Sequence, residues 1–224
     1  YQENYPITYF IRNSAEVNGN NIEVTLHDIE KISADGYQVA LGPASAYINL
    51  GYLEPGQYSL EINVVDATNQ ATLDVIEDLY AVASDQLTDL KFNYDTLYRI
   101  PNGALWGYAG YQNTAYTEIA EAFRDSLNAF GAVPLSLPKG NYGYFQVSES
   151  GEFTQPINDQ VTYYREFFKD YTGSESRLNN LLDYYMLNYR QIDIQLYWVF
   201  EGNVKSAIIR PGNDPVFNKK LLTR

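Results

Sequence analysis

The sequence predicts two β-rich folding units: an all-β sandwich over residues 1–80, then an α+β domain over residues 81–224 with antiparallel hairpins and three helices. Three observations predict this. First, Leu53-Glu54-Pro55-Gly56-Gln57-Tyr58 opens a run in which Tyr58, Leu60, Ile62 and Val64 face one way and Ser59, Glu61 and Asn63 the other. Period two means a strand with one buried face, expected in an antiparallel ladder. Second, apolar spacing changes after residue 81, where helical stripes join the alternating runs. Third, residues 1–85 hold 13 acids and two bases (Arg12, Lys31), whereas residues 86–224 hold 15 acids and 13 bases. Such asymmetry marks two units with different surfaces.

In order, Ile7–Arg12 reads as a first strand and Asn21–His27 as a second, with Ile22, Val24 and Leu26 inward after the turn Asn18-Gly19-Asn20. Tyr37–Leu41 and Ala46–Leu50 follow, separated by Gly42-Pro43. Pro55-Gly56 turns the chain into strand 58–65, and the Tyr58 hydroxyl is placed to bond back across the corner. Asp66–Asn69 turns it again, and Gln70–Ile76 returns with Ala71, Leu73 and Val75 on one face. Beyond 81, Leu105–Tyr111 is an aromatic strand. Thr114 caps a helix with Tyr116, Ile119, Ala120, Phe123, Leu127 and Phe130 at helical spacing, closed by Gly131 and Pro134. Lys139-Gly140-Asn141 turns into a strand Tyr142–Val147, and Glu149–Glu152 makes a hairpin with Phe153-Thr154. Val161, Tyr164, Phe168 and Tyr171 form the stripe of a second helix. Thr172-x-x-Glu175 is a capping box for a third, striped by Leu178, Leu181, Leu182, Tyr185, Met186 and Tyr189. A hairpin closes the chain: Ile192 to Phe200, the turn Glu201-Gly202-Asn203, then Val204 to Ile209.

The Leu-x-Pro-Gly-x-Tyr corner, its alternating strand, the Asp turn and the return strand resemble the last hairpin of bacterial immunoglobulin-like or fibronectin type III-like domains. The resemblance covers about residues 5–80. Without a Cys pair or a Trp in that segment, an antibody-type domain is excluded, and transthyretin-like sandwiches share such corners. It implies a spacer or adhesive module of a secreted or surface protein and nothing about catalysis.

Composition narrows the chemistry. The chain has 224 residues, 45% hydrophobic, with 22 Tyr, no Cys, one His and a net charge of −13. No Cys means no disulfide, thiolate metal site or cysteine nucleophile. The charge repels nucleic acid and anionic lipid. No apolar run approaches the roughly 18 residues of a membrane span. The chain opens at Tyr1, so a signal peptide or lipid anchor upstream is an expectation.

Any Ser-His-Asp triad needs His27, which shares the polar parity of Glu23 and Thr25; an exposed histidine is expected instead. Glu118, Glu121 and Asp125 share one helical face, as acid/base pairs need, but lie opposite the apolar stripe with Arg124 as surface partner. Asp66, Asn69 and Asp74, and Asp28, Glu30 and Asp35, cluster at turns without the spacing of a calcium loop. Lys139–Gly143 lacks the order of a phosphate-binding loop. The aromatic residues are the strongest remaining signal. Trp106 and Tyr108 share one strand face, Tyr142 and Tyr144 another. Paired rings on a sheet can stack on sugars, although rings more often pack inward. Glycines 107, 110 and 143 let another surface come close.

The expectation is therefore a non-catalytic exported protein of the bacterial periplasm or cell surface, binding protein or glycan, with no cofactor and no metal. The alternatives are a carbohydrate-binding module using Trp106, Tyr108, Tyr142 and Tyr144, and a hydrolase using Glu118, Glu121 or Asp125.

Overall fold

The structure is a computed structural model that describes residues 4–6, 9–31, 41–46, 48, 50–84, 87, 88, 90–158 and 161–210. The chain separates into two compact units, Tyr1–Arg99 and Ile100–Arg224.

In the first unit, β1 (Asn4–Pro6) pairs antiparallel with β4 (Leu41–Pro43). A six-stranded sheet holds the rest: β2 (Tyr9–Asn18), β3 (Asn21–Lys31), β5 (Gly56–Val64), β6 (Ala67–Val75), β7 (Leu79–Ala83) and β8 (Thr96–Tyr98), in that spatial order. Two-residue turns close both long hairpins; Gly19 adopts φ +58° in the first, Val65 φ +47° in the second. The sheet thus continues past residue 80 through β7 and β8. Ile22, Val24, Tyr58, Leu60, Ala71 and Val75 are buried on one face together with Leu53. Asn69 shares their parity, and its amide is used: Oδ1 accepts from the Thr88 N–H at 2.6 Å.

Two expectations change here. Strand 58–65 lies antiparallel to β6 but parallel to β3, with Ile22 beside Leu60 and Val24 beside Ile62. A parallel pair needs a long connection, and residues 32–55 supply it. Residues 46, 48 and 50 are not in a strand; Ser45 makes a single bridge to Phe10. Of the expected strand Tyr37–Leu41, all but Leu41 lies outside the described residues.

The second unit is built on a five-stranded antiparallel sheet. Its strands are β9 (Ala104–Tyr111), β10 (Val133–Pro134), β14 (Tyr163–Asp170), β15 (Ile192–Phe200) and β16 (Asn203–Ile209), in the order β10-β14-β9-β15-β16. Glu201 and Gly202, at φ +50° and +75°, form the closing turn. Two helices, α1 (Thr117–Ala129) and α2 (Glu175–Asn188), cover one face. Phe123, Leu127, Leu178, Leu182 and Tyr185 pack there against Leu105, Ala109, Phe167, Ile194, Leu196 and Trp198. A small sheet covers part of the other face: β11 (Gly140–Asn141), β12 (Gln146–Val147) and β13 (Phe153–Thr154). Its loop rings reach Trp106 and Phe168, with Phe145 5.2 Å from each between ring centroids. The centre of the main sheet is therefore buried on both faces, and every residue of β9 is buried.

The helix expected along Val161–Tyr171 is a strand. Its stripe fits helical spacing, but four of the six residues Tyr163–Phe168 are aromatic, and such residues suit a pleated surface. Pairing with β9 sends Arg165 and Phe167 to the helical side and Tyr164 and Phe168 to the other. The described residues thus hold two α-helices, preceded by a 3-10 turn at Thr114–Tyr116 that Asn113, not Thr114, caps. The capping box at Thr172 does not form either: α2 starts at Glu175 after Ser174, whose carbonyl accepts from the Tyr171 hydroxyl at 3.0 Å.

Candidate functional site

Of the four rings singled out from the sequence, three are core and Tyr144 is half-buried. Trp106 and Tyr108 share one face of β9, and both are buried, as is Tyr142. Trp106 stacks on Tyr197 at 5.4 Å between centroids and meets Tyr144 edge-on at 5.6 Å. Tyr142 stacks on Phe145 at 4.9 Å. Tyr142 and Tyr144 do not share a strand face. They lie in the loop between β11 and β12, where Gly143 takes φ +79° and the Tyr142 N–H donates to the Phe145 carbonyl. Trp106 thus packs against the loop rings Tyr144 and Phe145, whereas Tyr108 meets Tyr164 instead.

The glycines explain how the layers fit. Gly107 has φ +147°, and a Cβ there would overlap the Gln195 carbonyl. A Cβ on Gly110 would strike the Val161 methyls at 2.6 and 2.9 Å.

A polar layer lies on the face of the sheet away from the helices. The buried Gln155 amide donates to the Gly107 carbonyl at 2.8 Å and to Glu166 Oε1 at 3.2 Å. The Tyr108 hydroxyl accepts from the Asn158 N–H at 3.3 Å, and the Gln195 amide donates to the Tyr197 hydroxyl. Burial raises the Tyr108 pKa. Asp193 completes the layer. It is 7% exposed, and burial pushes its carboxyl up to about 6, with the Arg210 charge acting the other way. Sequence reading passed over Asp193 because the alternation of Ile192, Ile194 and Leu196 assigns it to a face expected to be wet. The signal that would have found it is Trp106 and Tyr108 in the neighbouring strand: apolar residues on both faces of β9 mean a sheet buried on both sides.

The hydrolase candidates separate. Glu121 accepts from Arg165 Nε at 3.0 Å, across from β14, so its partner is not Arg124. Glu118 and Asp125 are exposed on α1. His27 is exposed, as expected, with Nε2 3.0 Å from the Ser14 hydroxyl. Gln57 donates to Asp74 Oδ1 at 2.8 Å, and Asn69 Oδ1 accepts from the Thr88 N–H at 2.6 Å. Asp35 lies outside the described residues. No helix among the described residues is long and apolar enough to cross a membrane.

Comparison with family models, with curated proteins and with solved structures finds no match to this chain.

Proposed function

We propose that the chain is a non-catalytic binding or structural protein of the bacterial periplasm or cell surface. Its first unit would be an immunoglobulin-like or fibronectin type III-like spacer, and its second a Tyr-rich binding unit. The observation that carries this reading is where the reactive side chains are spent. Glu121 is held by Arg165, Glu166 by Gln155, and the single histidine is exposed beside Ser14. Of the rings that were candidates for a platform, Trp106, Tyr108 and Tyr142 serve as the second unit's core. The Tyr58 corner supports the spacer reading of the first unit: its hydroxyl donates to the Glu54 carbonyl at 2.9 Å.

A glycan partner is the second reading. It is favoured by tyrosine rings outside the core, Tyr163, Tyr164 and Tyr184. The test of the first is turnover. The purified chain is expected to leave aryl glycosides, esters and peptides intact. Hydrolysis above the buffer rate that disappears in Glu121→Gln sinks the non-catalytic reading. Fractionation of producing cells is expected to recover the chain with the envelope.

A further inference from the structure

The six-stranded sheet of the first unit ends at β2. Among the described residues, the outer side of that strand has a backbone partner at Phe10 and Ile11 alone. Ser45 bridges to Phe10, and its carbonyl accepts from the Ile11 N–H at 2.9 Å. Ser14 to Asn18 are exposed. The hairpin to β3 fixes which backbone groups point outward. Gly19, at φ +58° in the first central position, makes a two-residue turn whose flanking residues, Asn18 and Asn21, form a hydrogen-bonded pair. Pairs alternate from there. Ser14 and Glu16 therefore bond to β3, whereas the N–H and C=O groups of Asn13, Ala15 and Val17 face away from the sheet.

The same segment is incomplete on both of its faces. Ala15 and Val17 lie on the core face, opposite Val24 and Ile22. Val24 is 5% exposed and Ile22 1%, but Val17 is 38% exposed, so the apolar face reaches the edge uncovered. On the other face Glu16, Glu23 and Glu61 are level with one another. Amides serve the inner two: Asn63 lies 3.4 Å from Glu23 and 3.2 Å from Glu61, and Gln70 lies 2.7 Å from Glu61. The row ends at Glu16, and the next place in it belongs to a strand added outside β2. Such a strand brings backbone groups to Asn13, Ala15 and Val17, an apolar side chain over Val17 and a basic one beside Glu16. A second copy fits less well, because it would bring 13 acids and two bases of its own residues 1–85 against the same surface.

We propose that the β2 edge from Asn13 to Asn18 docks an extended segment of a partner protein in which apolar and basic residues alternate. This gives the first unit, otherwise a spacer, a partner of its own, and it does not depend on what the second unit binds.

Fluorescence anisotropy of labelled octapeptides against the full chain tests it, at about 50 mM NaCl so that exposed charges still act at a distance. One peptide alternates Lys and Val; the other has the same composition with every Lys before every Val. The alternating peptide is expected to bind saturably and about tenfold tighter than the block peptide, the worth of one or two net hydrogen bonds. Glu16→Lys should weaken it by about tenfold, as an attractive cross-strand pair becomes repulsive. Asp66→Lys, the same charge change at the exposed turn between β5 and β6, should stay within about twofold of the parent. Ala15→Pro removes one outward N–H and keeps every charge, and should weaken binding by about tenfold with an unchanged melt. If that variant melts lower, the comparison of Glu16→Lys with Asp66→Lys decides. No saturable binding, equal binding of the two peptides, or equal loss in the two charge variants overturns the proposal. So does a dimer of the parent in sedimentation velocity that Ala15→Pro abolishes, which would give the edge to a second copy.

Discussion

Tyr58 and Tyr142 make the same bond in different units. Each hydroxyl donates to the carbonyl four residues upstream, Glu54 and Pro138, at 2.9 Å, and each follows a glycine by two positions. Tyr58→Phe should lower stability by about 1 kcal/mol, one net hydrogen bond, in a denaturant melt; an unchanged midpoint argues against the corner. Gly107 is more demanding. Its φ of +147° and the Gln195 carbonyl behind it leave no space for a methyl, so Gly107→Ala should cost about 3 kcal/mol in strain and displaced backbone. Asp193 carries the pH dependence. Its folded pKa of about 6 lies above the ordinary carboxylate value. The stability it contributes is therefore fully present below about pH 4 and lost as pH rises through 6. The loss amounts to about 3 kcal/mol, taking about 1.4 kcal/mol per pKa unit. Asp193→Asn should melt higher than the parent at pH 7 and about equally at pH 4. Equal melting at both values removes the buried-charge account.

At the scale of elements, pairing partners decide more than local periodicity. Residues 161–171 carry an apolar stripe that a helix could bury, yet β9 needs a neighbour on that side and the aromatic run supplies one. Pairing also creates contacts that no single strand shows. Glu16 lies opposite Glu23, and Glu23 is level with Glu61 in the parallel pair, so three like charges share one row of the first sheet. Asn63 partly separates two of them, its amide 3.4 Å from Glu23 and 3.2 Å from Glu61. Like charges directly opposite destabilise a sheet. Glu23→Gln should therefore raise the stability of the first unit by about 0.5 kcal/mol, read from amide exchange in β3 and β5. A lower protection there would mean that the row is held by something other than repulsion balanced by packing. Between α2 and β16, Lys205 and Glu175 meet at 2.6 Å with both side chains largely covered, which fixes the first turn of α2 to the sheet edge.

For the whole molecule, a net charge of −13 sets a repulsion that compaction must overcome. Added NaCl, up to about 0.3 M, shortens the screening length below the spacing of most surface charges. The melting temperature should accordingly rise with salt; a fall would mean that exposed ion pairs such as Arg12–Asp28 outweigh the like-charge repulsion. Two separate hydrophobic clusters, one centred on Ile22, Tyr58 and Leu60 and one on Leu105, Phe123 and Ile194, account for the two compact units.

Much of this was legible locally. The alternation at 58–64, the Tyr58 corner, the turns at Gly19 and Gly202, the Phe123–Leu127 stripe and the final hairpin are written in residues a few positions apart, where period and turn chemistry act directly. The candidate site was not. Trp106 looks like part of a platform until the rings of Tyr144 and Phe145 close over it, and Asp193 looks solvent-facing although it is buried. Sequence by itself determined the strand at 58–64, the buried stripe of α1 and the closing hairpin, because there the choice depends on side chains spaced two or about 3.6 residues apart. Tertiary structure alone decided the parallel partner of β5, the strand at 163–170 and the burial of Asp193, because each depends on which segment, distant in the chain, arrives to fill the neighbouring space.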